Sequence, residues 1–227
     1  MDDPNILKKL VVAAKQLPLA NAELSTGYYY SSLSLCVVDS IFSIGVRYAA
    51  VERVVARVVN HTKIERDRWR IFTDPLPLNL FVEVAKKADQ ATFYGNLQRT
   101  SSRGGILKSE AVGLAAQSLI DTGILTLQDF QSCPDEKLKT AETAFLALKG
   151  QKSGISWLYL RMLAGDDDHV KPDRHIRRFI KEATGLEVSS AEAVMLIQAT
   201  SACLKVDFPN MTPRLLDHAI WKARSGK

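Results

Sequence analysis

The chain has 227 residues, 46% of them hydrophobic and 24% charged, which suits one substantial core or two smaller lobes. A net charge of +5 makes it mildly basic and excludes a polycationic tail as the main feature. Its three cysteines, Cys36, Cys133 and Cys203, form no CxxC pair, which argues against a disulfide framework and for a reducing compartment. The start, Met1-Asp2-Asp3-Pro4-Asn5, lacks the basic-then-apolar layout of a signal peptide. The longest apolar run, near 33–46, is broken by Asp39 and too short to span a bilayer. These features predict a cytoplasmic or nucleoid protein with no membrane partner.

Apolar spacing predicts a first helix over 4–16, with Pro4 near its first turn and Pro18 as its stop. Residues 20–30 read as irregular and end in Tyr28-Tyr29-Tyr30. Ser31 or Ser32 caps a buried helix through Phe42, Gly45 breaks it, and Val51, Val54, Val55, Val58 and Val59 share one face of the next. Residues 60–76 read as a polar, basic connector anchored by Trp69 and Phe72. Pro75 and Pro77 open a helix to about Ala88. The stretch 96–105 is a turn-rich loop, and a long helix runs from about Ile106 to Asp121 with Gly123 as its stop. Residues 126–132 make a short helical turn, and Ser132-Cys133-Pro134-Asp135 caps the next helix. Ser189-x-x-Glu192 is a capping box for a helix to about Leu204, and Thr212-Pro213 starts the last one. Strand alternation persists nowhere, so the expected fold is all-α, with about ten or eleven helices.

The most informative stretch runs from Leu148 to Arg178. Leu138, Ala141, Phe145 and Leu148 recur at helical spacing before it; Ile155, Leu158, Tyr159, Met162 and Leu163 do so within it. Between them lies Lys149-Gly150-Gln151-Lys152-Ser153-Gly154, short enough only for a tight antiparallel turn, whose glycines accept φ > 0 and close backbone approach. Val170-Lys171-Pro172-Asp173 then leads into a third stripe at Ile176, Phe179, Ile180 and Ala183. Between Lys149 and Lys181 eight Lys/Arg stand against four Asp, a surplus of four. On charge alone, a solvated helix face is the preferred reading of that surplus.

This stretch resembles the signature of the helix-hairpin-helix (HhH-GPD) DNA glycosylases of base excision repair, which include endonuclease III, the adenine glycosylases and the 8-oxoguanine glycosylases. Leu148-Lys149-Gly150 resembles the start of the family's L-P-G-V-G hairpin. Lys171-Pro172-Asp173-Arg174-His175 resembles the V-D-T-H segment that carries its catalytic Asp. The second hairpin glycine is displaced to Gly154. Ser153 or Gly154 stands where bifunctional members carry a catalytic Lys. Only Cys203 follows Asp173, so the four-cysteine iron–sulfur cluster of some members has no ligands here. The segment Leu35–Arg47 is similar to the family's buried helix whose end fills the hole left by an extruded base, with Gly45 at the family's Gln position.

The resemblance implies two helical lobes with a cleft between them, the hairpin facing DNA at that cleft. One lobe spans 30–165 and ends in the helix-hairpin-helix of about 135–165; the other joins 1–29 to 166–227 and carries Asp173. It implies a monofunctional N-glycosylase that flips a damaged base and hydrolyses its glycosidic bond with a water assisted by Asp173. The first substrate to expect is 8-oxoguanine, the second an alkylated base. Gly150, Gln151, Lys152, Ser153, Gly154 and Arg174 would hold the DNA backbone; Ile44, Gly45, Val46 and Arg47 would fill the void. Tyr28 and Trp157 are candidate base-stacking residues, although aromatics in helical proteins mostly serve the core. The partner would be double-stranded DNA bearing a damaged base, bound by a monomer. No cofactor is expected beyond a monovalent cation at the hairpin carbonyls, and no metal site. A plainer reading of Asp173 is a helix N-cap, compatible with catalysis. Asp166-Asp167-Asp168 reads as solvent-facing rather than as metal ligands, and Arg214, Asp217, His218 and Trp221 on the last helix read as structural. The alternatives to an enzyme are a non-catalytic helix-hairpin-helix DNA-binding protein, or a helical protein with no DNA role.

Overall fold

The computed structural model describes residues 4–24, 28–68 and 73–225; the expected anchors Trp69 and Phe72 lie outside them. The fold is all-helical, with twelve α-helices and no strand among the described residues. In order they are α1 (Pro4–Ala14), α2 (Leu33–Phe42), α3 (Tyr48–Thr62), α4 (Leu78–Lys87), α5 (Gln90–Phe93), α6 (Lys108–Asp121), α7 (Leu127–Gln131), α8 (Asp135–Leu146), α9 (Ile155–Ala164), α10 (Arg174–Thr184), α11 (Ser190–Leu204) and α12 (Pro213–Ser225). The expected count omitted α5, a single turn whose start is capped by the Asp89 carboxylate on the Thr92 amide at 2.8 Å. Such a short element has too few residues to show a helical period. Among the described residues no helix is long and apolar enough to cross a membrane.

The chain divides into two compact units, residues 25–165 and residues 1–24 with 166–227. In the larger unit every residue of α2 is buried, Ser34, Asp39 and Ser40 included, and the helix packs against α3, α4, α6 and α9. Its start follows from Ser32, whose hydroxyl accepts from the Ser34 amide. The Ser32 and Ser34 hydroxyls also donate to the Leu76 carbonyl, at 2.8 and 2.7 Å.

Asp74 completes that junction. Its buried carboxylate accepts the amides of Leu33 at 2.9 Å, Leu76 at 3.0 Å and Leu127 at 2.9 Å. Two of these donors open helices, α2 and α7, whose first amides have no intrahelical acceptor. One side chain therefore serves two helix starts and the irregular link between α3 and α4.

The smaller unit packs α1, α10, α11 and α12 around Leu10, Ile176, Phe179, Ile180, Ile197, Leu216 and Ile220. Both halves of the Ser189–Glu192 capping box form, with Glu192 N–H to Ser189 Oγ at 3.3 Å and Ser189 N–H to Glu192 Oε2 at 2.6 Å. Thr212 starts α12 by accepting the Leu215 amide at 3.1 Å. The expected cap on α8 differs: Pro134 precedes the helix with no side-chain cap, and Ser132 donates back to Gln128 O.

Asp74→Ala leaves three buried amides without an acceptor. It is expected to cost about 3 kcal/mol or more in urea unfolding, well beyond a surface Asp→Ala change.

Candidate functional site

The turn from α8 to α9 is built by its own backbone. Gln151 N–H donates to Leu148 O at 3.0 Å, Gly154 N–H to Gln151 O at 3.0 Å, and Leu158 N–H to Gly154 O at 3.0 Å. Gly150 and Gly154 both take left-handed conformations, φ +91° and +73°. At Gly150 a Cβ would stand 2.5 Å from Thr100 Cβ, so the missing side chain makes room for the 96–105 loop. Lys149, Lys152 and Ser153 are exposed on this turn, and no side chain caps the first turn of α9.

Two expected roles change here. Gln151 is only 3% exposed, and its Oε1 accepts from the Ser156 hydroxyl; it braces the turn from inside and offers no side chain to a backbone phosphate. Trp157, 1% exposed, stacks in the core with ring centroids 5.3 Å from Phe145 and 5.8 Å from Phe130. It is a core residue rather than a base-stacking one, packed between Phe130 of α7 and Phe145 of α8.

The 43–47 turn follows α2. Gly45 sits at its exposed tip with φ +71° and open space around it, while Val46 packs on the core, Ile44 is half-buried and Arg47 is exposed before α3. A residue absent from the sequence reading holds this turn. Lys108, 3% exposed at the start of α6, donates from Nζ to Phe42 O at 2.9 Å and Ile44 O at 2.7 Å. An ammonium at the C-terminal carbonyls of a helix also meets the negative end of its dipole. The available signal was a charge standing at i, i+3 and i+4 with Ala111 and Val112, on the buried stripe of α6.

Tyr28 is half-buried among side chains of α2 and α3, the helices that this turn joins. Burial raises its hydroxyl pKa, with Glu52 and Asp39 adding to the shift. Below it, Asp39 Oδ2 accepts from Tyr30 Oη at 2.8 Å and Tyr48 Oη at 3.3 Å, and the Arg66 guanidinium lies 5.3 Å over the Tyr30 ring.

Asp173, in the smaller unit, is the N-cap of α10. Its Oδ1 accepts the His175 amide at 2.7 Å and the Ile176 amide at 3.3 Å. Among the described residues its Oδ2 accepts no hydrogen bond, and the side chain is half-exposed. Arg174 is exposed beside it. The His175 pKa is lowered, first by burial and then by Arg174, Arg224 and Lys171, against the opposing pull of Asp173.

The basic surplus is smaller than the count suggests. Arg178 pairs with Glu182 at 2.7 Å and Lys181 with Glu187 at 2.5 Å, both acids lying just past the counted window. Hydrogen bonds from Arg224 and Arg178 hold the Glu182 carboxyl down at about 2.

The three successive Asp residues separate. Asp166 Oδ1 accepts the Asp168 amide at 3.0 Å, and Asp167 meets Arg214 at 3.2 Å. Among the described residues no cluster of His, Cys, Asp and Glu is set to hold a metal ion.

Asp217, expected to be structural, is a buried acid with a strongly shifted carboxyl. It is 8% exposed, and burial, then the neighbouring Asp173 charge, push its carboxyl up to about 8. Its Oδ2 accepts the Lys171 amide at 2.8 Å. Like Lys108, it interrupts an apolar stripe, here beside Pro213, Leu216 and Ile220.

These observations define an all-helical chain with an exposed basic glycine turn in one unit and a helix-capping carboxylate beside a second, buried acid in the other. The chain belongs to the family described as "Domain of unknown function (DUF8548)", whose model matches residues 8–225. No curated protein and no solved structure matches it.

Lys108→Met keeps the apolar stem and removes the ammonium. It is expected to cost about 2 to 4 kcal/mol and to speed hydrogen exchange in residues 43–47 while leaving α9 protected. For Asp217 the sign of the pH effect follows from the raised value. The folded chain holds a proton that the unfolded chain releases above about pH 4, so its stabilisation is full below that point and is lost as pH climbs to about 8. Asp217→Asn is therefore expected to flatten the fall in stability between pH 5 and 8.5, by at most about 1.4 kcal/mol per pH unit, read as the difference between two melting series.

Proposed function

We propose that the protein is a DNA N-glycosylase of base excision repair that releases a damaged base by hydrolysis, with Asp173 as its catalytic carboxylate. One observation carries the reading. Asp173 lies at the mouth of α10 with one oxygen committed to two amides and the other accepting no hydrogen bond among the described residues, one helix and a short link after a basic glycine turn. The resemblance of this stretch to the helix-hairpin-helix glycosylases supplies the reaction class.

In that reading the hairpin unit grips duplex DNA by its phosphates. Lys149 and Lys152 supply charge, Ser153 a hydroxyl donor, and the uncapped start of α9 supplies amides and the positive end of a helix dipole. Arg174 adds a cation next to the reacting carboxylate. The 43–47 turn, with Arg47 as its exposed long side chain, enters the space vacated by the extruded nucleotide, and Tyr28 is the remaining aromatic candidate for contact with the base.

The chemistry needs only water. The C1′–N bond breaks with its electron pair leaving on the base, which takes up a proton. A water oxygen bonds to C1′ as Asp173 stabilises the developing positive charge and accepts the water's proton. Ser153 and Gly154 offer no amine at the position used for covalent chemistry, so no Schiff base forms and borohydride traps no adduct. An oxidised purine of the 8-oxoguanine kind is the first substrate to test and an alkylated base the second.

The test is a panel of duplexes, each with one lesion, incubated with protein and then treated with alkali to reveal abasic sites. Wild-type protein is expected to cut one or more of them. Asp173→Asn should lose about 100-fold or more in rate with little change in DNA affinity. Lys152→Ala should keep the chemistry, weaken binding for every sequence alike, and lower the salt slope by about 1. Salt-sensitive binding with no abasic product from any duplex would replace the enzyme with a DNA-binding module.

A further inference from the structure

The link from α9 to α10, residues 166–173, has no regular secondary structure, so its backbone must find partners elsewhere. It finds them on α11 and α12. Arg214 N–H donates to Asp167 O at 3.1 Å, and Arg214 Nη1 meets Asp167 Oδ1 at 3.2 Å. Gln198 Nε2 donates to Asp168 O at 2.8 Å, and Val170 is fully buried. One turn beyond Arg214, Asp217 takes the Lys171 amide at 2.8 Å.

We propose that Asp217 is the positioning residue for Asp173, fixing from α12 the three-residue turn that presents the Asp173 carboxylate. The connection is continuous. Asp217 Oδ2 holds the Lys171 N–H, and Lys171 O holds the Asp173 N–H at 2.6 Å, with buried Pro172 between them. The proline ring fixes φ, which removes the main freedom by which the turn could absorb a displacement. Lys171 and Asp173 thus move together, and Asp217 sets where both stand. Asp173 in turn caps α10, so its own position fixes the first amides of that helix.

Burying an acid beside a second carboxylate is costly when a neutral acceptor could receive the same amide. A buried acid that works against local stability is a departure from the rest of the fold, and such departures gather at functional sites.

The activity part of this inference rests on the glycosylase reading, and the amide part does not. Asp217→Leu has similar size and no acceptor, whereas Asp217→Asn keeps one. With folding checked by circular dichroism, the Leu variant is expected to lose about 10- to 100-fold in kcat on the lesion duplex, with KM and DNA affinity unchanged. The Asn variant should restore the rate to within about threefold of wild type. Hydrogen exchange at the His175 and Ile176 amides, which Asp173 holds, should accelerate in the Leu variant and return to normal with Asn. Pro172→Ala, which leaves the Asp217 contact intact but frees the turn, should show the same split between kcat and KM and serves if the Leu variant does not fold.

Wild-type kcat in the Leu variant, unchanged exchange at His175 and Ile176, or an Asn variant as impaired as Leu would each overturn the proposal. If wild-type protein releases no base from any duplex, the glycosylase reading fails. The two exchange measurements then decide the role of Asp217 by themselves.

Discussion

The larger unit depends on a helix with no solvent face. All ten residues of α2 are buried, so its backbone can enter and leave the core only through partners supplied by other segments. Asp74 supplies the entry, with three amides on one carboxylate, and Lys108 supplies the exit, with two carbonyls on one ammonium. Hydrogen bonds to a charged group are about twice as strong as neutral ones, so each of these side chains strengthens its end of the helix, beside Ser32 at the entry. Hydrophobic burial gives α2 its place. These two ions give it its register along the axis, and with that the projection of the 43–47 turn.

The smaller unit follows a related logic with a different object. Its four principal helices satisfy most of their own backbone and bury a continuous apolar cluster; the link over residues 166–173 adds Val170 to that cluster but has no regular backbone pairing of its own. Arg214, Asp217 and Gln198 take up that link's polar groups. The carboxylate of Asp173 therefore stands on a loop held at several points, as a reacting group must be if its geometry is to persist. Burial and the nearby Asp173 charge raise the Asp217 pKa, and the same closeness makes the contact informative: a carboxyl that holds its proton can take an amide beside another carboxylate without setting two negative charges together.

Local signals in the chain were readable where the physics is local. Ser32, Ser189 with Glu192, and Thr212 cap the helices that their spacing predicted, and the glycines at 150 and 154 adopt the left-handed geometry their turn requires. Long-range partners were not readable. Asp74 is linked to residues 41 and 53 positions away, Lys108 to carbonyls 66 and 64 positions away, and Asp217 to an amide 46 positions away. No window of a single sequence contains such pairs. The misplacements have the same origin. Gln151 looked like one more polar turn residue until Ser156 drew it inward, and Trp157 lay off the main stripe of α9 yet meets Phe130 and Phe145 from neighbouring helices. The basic surplus shrank because its counterions, Glu182 and Glu187, begin just past the stretch in which it was counted.

A trace of each hidden partner was nevertheless present. Lys108 and Asp217 both stand on stripes that are otherwise apolar, where a charge is expensive unless something buried receives it. In an all-helical fold, the backbone groups that need such receivers belong to the links and to the helix ends, since only a helix interior closes its own hydrogen bonds. A charge on an apolar stripe therefore points away from its own helix, toward an irregular segment that the fold must hold still. For Lys108 that segment is the exposed turn after α2; for Asp217 it is the turn that presents Asp173. Asp74 is the converse case, a charge in the link between α3 and α4 that receives the first amides of two helices, α2 and α7. What separates the cases is exposure at the far end. Asp74 ends on buried amides, whereas Lys108 and Asp217 each end on a segment that goes on to reach the surface, at Gly45 and Arg47 in one unit and at Asp173 and Arg174 in the other. Immobility conferred on exposed groups is what a reaction or a ligand would require, and in the proposed reading that difference sets Lys108 and Asp217 apart from Asp74.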